Sequence, residues 1–159
     1  MQLETVKPAN SSWIWEAVGQ WQSSYRWSLR GHTPSPAILE QLLWTRVAMQ
    51  MSWRRDDGSP AGLLQIYDAN LDSGVAFLGF MFDPTLAAEF GRALEAFLNK
   101  GFRDFPLRKV CTEVFSDEFD EVSFLGPGVR TAGRLTDHER RNDDSYADLV
   151  LYEIWKDRR

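Results

Sequence analysis

Two histidines, one cysteine and a group of arginines set among aromatic rings are the side chains of this sequence best suited to chemistry near neutral pH. His32 stands in Arg30-Gly31-His32-Thr33-Pro34, just after Tyr25, Arg26 and Trp27. Such an Arg/aromatic group suits a ligand with a carboxylate or a planar ring, through charge-assisted hydrogen bonds and cation–π contact. Arginine stems packed over core tryptophans satisfy the same pattern. His138 follows Asp137; imidazole titrates near neutrality, so it is either a base or a structural ring oriented by its neighbour. Ser116 is placed either to cap a helix or to offer a hydroxyl to a ligand. Tyr67 and Asp68 end an alternating stretch, where they face either a ligand or solvent. Asp117, Glu118, Asp120 and Glu121 crowd one turn, which a solvated helix start explains and an attraction for cations also explains. Cys111 sits in the apolar stretch 110–115 and reads as a small buried hydrophobe.

Other chemistries are excluded by what these residues lack. Two distant histidines and a single cysteine supply no ligand cluster of usable spacing, so no metal is expected. No Gly-x-Ser-x-Gly, Walker loop or Rossmann fingerprint occurs. The net charge of −5 comes without any Lys/Arg block, so the attraction that drives general nucleic-acid binding is lacking. The first residues, MQLETVKPANSS, hold no apolar signal region, and no run approaches the length of a membrane span, so a cytoplasmic protein is expected. At 159 residues, 43% hydrophobic and 26% charged, the chain reads as a single soluble domain over 1–159.

The elements that must carry these residues follow from punctuation and period. Residues 3–6 read as a short strand. Ser11 or Ser12 then caps a helix with Trp15, Val18 and Trp21 at helical spacing. Ser35 caps and Pro36 opens a second helix, 37–44. Val47, Met49, Met51 and Trp53 alternate, Asp57-Gly58 turns, 61–67 forms a second strand, 70–74 turns, and the apolar run 75–82 is a strand buried on both faces, giving an antiparallel meander. Asp83-Pro84 starts a helix whose apolar stripe is Leu86, Phe90, Ala93, Leu94, Phe97 and Leu98, ending near Gly101 or Phe102. Residues 109–115 are a strand able to lie parallel to 75–82 through a crossover. A short helix at 117–125, strands at 129–138 and 146–155, and a turn at 142–144 complete the chain.

This order, with Gly62 to Gly74 (GLLQIYDANLDSG), Ala93 to Val114 (ALEAFLNKGFRDFPLRKVCTEV) and the late Gly133-Arg134-Leu135-Thr136-Asp137-His138 and Tyr146-Ala147-Asp148, resembles the RimJ/RimL-like branch of the GNAT acyltransferases over residues 26–155. The resemblance implies an α/β fold with a mixed, mostly antiparallel sheet of six to seven strands, helices on both faces, and parallel fourth and fifth strands that splay apart. It implies acetyl-CoA or another acyl-CoA as co-substrate, a small-molecule or protein amine as acceptor, and a monomer or homodimer. The pantetheine arm would lie against the backbone of Phe80, Met81 and Phe82, with Ser116 where relatives place an Asn. The diphosphate would lie on N–H groups of Ala87, Ala88, Glu89, Phe90, Gly91 and Arg92, where a helix dipole favours an anion. Tyr25, Arg26, Trp27, Arg30, His32 and Tyr67 would line the acceptor cleft. His138 and Ser116 are the candidates for catalysis, because the tyrosine that often serves as acid in the family has no counterpart in 117–126.

The phosphate loop departs from the family pattern Gln/Arg-x-x-Gly-x-Gly/Ala, in which glycines let the diphosphate approach the backbone. One alignment sets Thr85, Ala88 and Phe90 at the three defined places; a slip of one residue restores Gly91 but brings Glu89 to the first glycine. Three readings stay open: an acyl-CoA N-acyltransferase; an acyltransferase using a carrier protein or aminoacyl-tRNA as donor; and a noncatalytic domain whose Phe90 fills the groove. The i, i+4, i+8 spacing of Leu86, Phe90 and Leu94 predicts a ring turned into the core.

Overall fold

The computed structural model describes residues 2–21, 35–115, 128–140 and 144–156. Its sheet has seven strands in the order β1-β2-β3-β4-β5-β7-β6, formed by β1 (Gln2–Thr5), β2 (Val47–Arg54), β3 (Pro60–Asn70), β4 (Val75–Phe82), β5 (Lys109–Phe115), β6 (Val129–Arg140) and β7 (Tyr146–Trp155). All neighbours are antiparallel except β4 and β5. The helices are α1 (Trp13–Gln20), α2 (Pro36–Trp44) and α3 (Ala87–Asp104). The expected helix at 117–125 lies outside the described residues, as do 142 and 143 of the expected turn.

Local chemistry accounts for most boundaries. The Ser35 hydroxyl accepts the N–H of Ile38, and Pro36 opens α2 as expected. Gly58 turns the β2–β3 hairpin at φ 83°, a conformation that glycine adopts without strain. β3 runs three residues past its expected end because the left-handed Asp68 (φ 49°) bulges the strand and donates its N–H to the Arg46 carbonyl. α1 differs from expectation at its start. Ser12 has helical angles and caps nothing, and the Ser11 hydroxyl donates to Pro8 instead, so the helix grows from the 3-10 turn Pro8–Asn10. Its buried stripe is Ile14, Ala17 and Val18 with Trp21 after it, whereas Trp15 is exposed.

Two cores flank the sheet. α3 lays Phe90, Ala93, Leu94, Phe97, Leu98 and Phe102 against Trp53, Leu64, Ile66, Leu78, Phe80, Phe82 and Val110. α1 and α2 lay Ile14, Ala17, Val18, Leu39 and Leu43 on Leu63 and Met81 of the other face. α3 continues through Gly101 to Asp104, past its expected end. Gly101 is a contact residue: a Cβ there would stand 2.4 Å from Ile66 Cδ1, so its missing side chain lets helix and sheet meet.

β4 and β5 register only three parallel pairs, Val75–Lys109, Ala76–Val110 and Phe77–Cys111. β4 nevertheless stays on β3 as far as Phe82, and β5 stays on β7 as far as Phe115. The strands therefore part after Phe77, four residues before the expected divergence at Met81. Pro84 is not the cause: each strand follows the antiparallel neighbour on its outer side, and the sheet opens between them.

Gly62 holds the open end of β4, since a Cβ on it would lie 2.9 Å from the Met81 carbonyl oxygen and 3.1 Å from Phe82 Cβ. Gly62→Ala is expected to cost about 1–3 kcal/mol through overpacking. Urea unfolding should show the midpoint falling with little change in slope, and a variant as stable as the parent would refute this account of the contact.

Candidate functional site at the open end of the sheet

The row at which the strands part carries Tyr67 on β3, Phe77 on β4 and Cys111 on β5, side by side on the face covered by α1 and α2. The Tyr67 and Phe77 rings lie 5.8 Å apart. Beyond this row, alternation puts Gly79 and Met81 of β4, and Glu113 and Phe115 of β5, on the same face. Glu113 is half-buried and stands where β5 has no β4 residue in register. Asp83 donates its N–H to the Ala61 carbonyl on β3, so the alternation of an antiparallel strand turns the N–H and C=O of Phe80 and Phe82 toward the β5 side. Their rings point into the α3 core.

The turn from β4 into α3 is closed by its own hydrogen bonds. The Asp83 carboxylate accepts the N–H of Thr85 at 3.0 Å and its hydroxyl at 2.7 Å, and its second oxygen pairs with Arg55. Leu86 N–H bonds the Asp83 carbonyl, and Ala87 N–H bonds Pro84. Burial disfavours the charged Asp83, yet Thr85 and then Arg55 outweigh it and hold the carboxyl below its usual value. From Phe90 onward the N–H groups belong to the helical i→i−4 pattern, which leaves Ala88 and Glu89 at the second and third helical positions. Of the six residues expected to offer N–H groups, Ala87, Phe90, Gly91 and Arg92 thus have theirs within the turn or helix. Phe90 itself is fully buried, stacked on Phe82 at 3.9 Å and near Phe80 and Trp53. The inward ring is as expected, and Phe90 does not fill the groove.

At the paired end of β5, Glu153 gathers three donors: Lys109, Arg130 at 2.7 Å and Trp155 Nε1 at 3.0 Å. The Lys109 hydrogen bond does most to lower its pKa, desolvation opposes it, and Arg130 and Trp155 add to it, leaving a value of about 2. Cys111 is pushed the other way, chiefly by burial, so its thiol is poorly ionised. His138 lies exposed on the edge strand β6. With β7 between, it stands about 10 Å to the side of β5 by ordinary strand spacing. Tyr25, Arg26, Trp27, Arg30, His32 and Ser116 lie outside the described residues. Among the described residues, no group of three or more His, Cys, Asp or Glu could hold a metal ion, and no helix is long and apolar enough to cross a membrane.

No protein-family model and no curated protein matches the sequence. Solved structures do match in shape. A chimera of the spermidine N-acetyltransferase SpeG from Vibrio cholerae and hSSAT superposes with a TM-score of 0.80 at 15% identity, over 99% of this chain and 97% of that one. The spermidine/spermine N-acetyltransferase SpeG from Vibrio cholerae, in complex with manganese ions, gives 0.76 at 17% identity over 97% and 91%. The smu.2055 protein of Streptococcus mutans gives 0.74 at 20% identity over 98% and 99%. The chain has the GNAT fold.

Within the GNAT fold, the residues that sequence reasoning passed over are Glu113 and the Arg55–Asp83 pair. Glu113 could have been found as the acidic member of an otherwise apolar run, on the same alternate face as Lys109 and Cys111. The pairing of Asp83 with Arg55 bridges 28 positions of sequence and leaves no local trace.

Because the folded pKa of Glu153 lies near 2 against 4.5 for the free side chain, its contribution to stability is complete above about pH 4.5 and fades as pH falls toward 2. Glu153→Gln is expected to cost about 1.5–3 kcal/mol at pH 7, the range for hydrogen bonds to charged groups. Thermal melts from pH 7 to pH 2 should show the gap between variant and parent closing at acid pH; a gap independent of pH would contradict the assignment.

Proposed function

We propose that this protein is a single-domain N-acyltransferase that moves an acyl group, acetyl in the first instance, from a pantetheine thioester such as acetyl-CoA to the amino group of a small molecule or protein. The observation that supports it most directly is the parting of β4 and β5 between two helical layers, with backbone groups of Phe80 and Phe82 turned toward the opening and the Glu113 carboxylate on its α1/α2 side.

The residues present fit one end of such a donor better than the other. The opening beyond Phe77–Cys111 suits the extended, amide-rich pantetheine arm, which pairs with strand backbone as another strand would. At the start of α3, an anion meets the Asp83 carboxylate. The donor supplies an activated acyl carbon. The chain's part is to align the arm along β4, to polarise the carbonyl by N–H groups on the β5 side of β4, and to take the proton of the attacking amine on Glu113. Tyr67 and Phe77 make an aromatic floor at the closed end of the opening. The net charge of −5 favours a cationic amine, and polyamines, named in two of the similar structures, are the natural first probes.

Isothermal titration with acetyl-CoA and CoA should give dissociation constants of about 10–100 μM, weak for a full set of contacts. Absence of heat at millimolar ligand, both in the parent and in Ala88→Gly, would remove CoA as the donor. With acetyl-CoA and a panel of primary amines that includes polyamines, Glu113→Gln is expected to slow thiol release by about 10²–10⁴-fold without weakening donor binding. Unchanged turnover would take Glu113 out of the proton transfer.

A further inference from the structure

We infer that donor recognition ends at the pantetheine arm, and that Asp83 is the residue that removes the nucleotide diphosphate from it. This rests on the acyltransferase reading and specifies its donor: a pantetheine thioester with or without the nucleotide.

Most hydrogen-bond donors around the β4–α3 turn are already engaged within the protein. An anion at a helix start is bound by N–H groups that the helix leaves open. Here Pro84 has none, Thr85 gives its N–H to Asp83 Oδ1 at 3.0 Å, Leu86 gives its own to the Asp83 carbonyl at 2.9 Å, and Ala87 bonds Pro84. The Thr85 hydroxyl, a further donor, is taken by the same carboxylate at 2.7 Å. Ala88 and Glu89 remain, and they are flanked by the Asp83 and Glu89 carboxylates, which repel a diphosphate. Arg55, the cation bonded to the turn, is held by Asp83 and anchored to the Ser59 hydroxyl at 3.1 Å, while Arg92 stands exposed on α3 farther along the helix. A side chain of the protein thus does for this turn what a ligand phosphate would do. Exchanging one anion for another gains little, because each new bond replaces one already made.

Past Phe77–Cys111 no β5 residue stands in register with β4 among the described residues, so the place the arm would take is not filled by a parallel ladder. The transfer is the same with either donor. The amine nitrogen forms a C–N bond to the acyl carbon, the C–S bond breaks, and the pantetheine thiolate leaves and is protonated by the proton released from the amine.

Titration of the full chain with CoA and with pantetheine tests this. Dissociation constants within about tenfold of each other are expected; CoA binding a hundredfold or more tighter than pantetheine would overturn the inference and leave the acyltransferase reading standing. Binding of neither compound at millimolar concentration would overturn both. Asp83→Ala returns Thr85 N–H and Arg55 to the turn, and is expected to tighten CoA at least tenfold while leaving pantetheine unchanged. Asp83→Asn keeps an acceptor for Thr85 but removes the charge, and should tighten CoA by less. Equal weakening of both ligands in both variants, with melting temperatures showing them folded, would make Asp83 a structural cap and sink the proposal.

Discussion

The opening between β4 and β5 depends on a competition between ladders. β4 holds β3 in register from Phe77 to Phe82, and β5 holds β7 over its whole length. Two antiparallel half-sheets meet along a short parallel seam of three pairs, and each half follows its own neighbour past the seam. Antiparallel pairing is slightly the more stable per residue, so the seam is the natural place for the sheet to open. Everything proposed for the site follows from where that seam ends. Had the parallel ladder continued to Phe82 and Phe115, Glu113 would lie in a closed surface, and Phe80 and Phe82 would have β5 partners.

Holding the sheet open requires support on both sides of the parting. Under β4, Phe80 and Phe82 stack with Phe90 of α3, so the start of the helix is fixed to the open end of the strand by aromatic packing. The Phe90 ring is core, and only its backbone belongs to the start of the helix. On the other side, Lys109, Glu153, Arg130 and Trp155 tie the paired end of β5 to β7 and β6. The charged cluster lies at the closed end of the seam and the apolar stack at the open end.

The sequence was most legible where signals are local. β4 and β5 are apolar runs bounded by Gly74, Asp83-Pro84 and Pro106, and their limits are those expected. Ser35-Pro36 marked α2, and the spacing of Leu86, Phe90 and Leu94 gave the direction of the Phe90 ring. What stayed hidden depends on partners far along the chain. Gly101 reads locally as a helix end, and only Ile66 makes it an interior contact. Asp83 reads as a helix start, which it is, but its pairing with Arg55 belongs to the β2–β3 hairpin. Glu113 shows locally as an acidic residue in an apolar run, but that it stands past the last β4 partner follows only from how β5 registers with β4 and β7.

The two faces of the sheet differ in chemistry as well as in cover. Under α3 the side chains are almost wholly apolar. Under α1 and α2 the sheet buries Gln50, Ser52 and Gln65 beside Leu63 and Met81. Gln65 donates to Gln50, while Gln50 Nε2, Gln65 Oε1 and Ser52 Oγ have no partner among the described residues. Buried polar atoms are costly unless bonded, and the α3 face keeps some as well, at Trp53 Nε1 and Thr112 Oγ1. Gln65 stands in register with Gly79, one of the first β4 residues past the seam, where no side chain separates the amide from the opening. The α3 face is the more apolar of the two, and the α1/α2 face sets the Glu113 carboxylate and the Gln65 amide on one side of the opening.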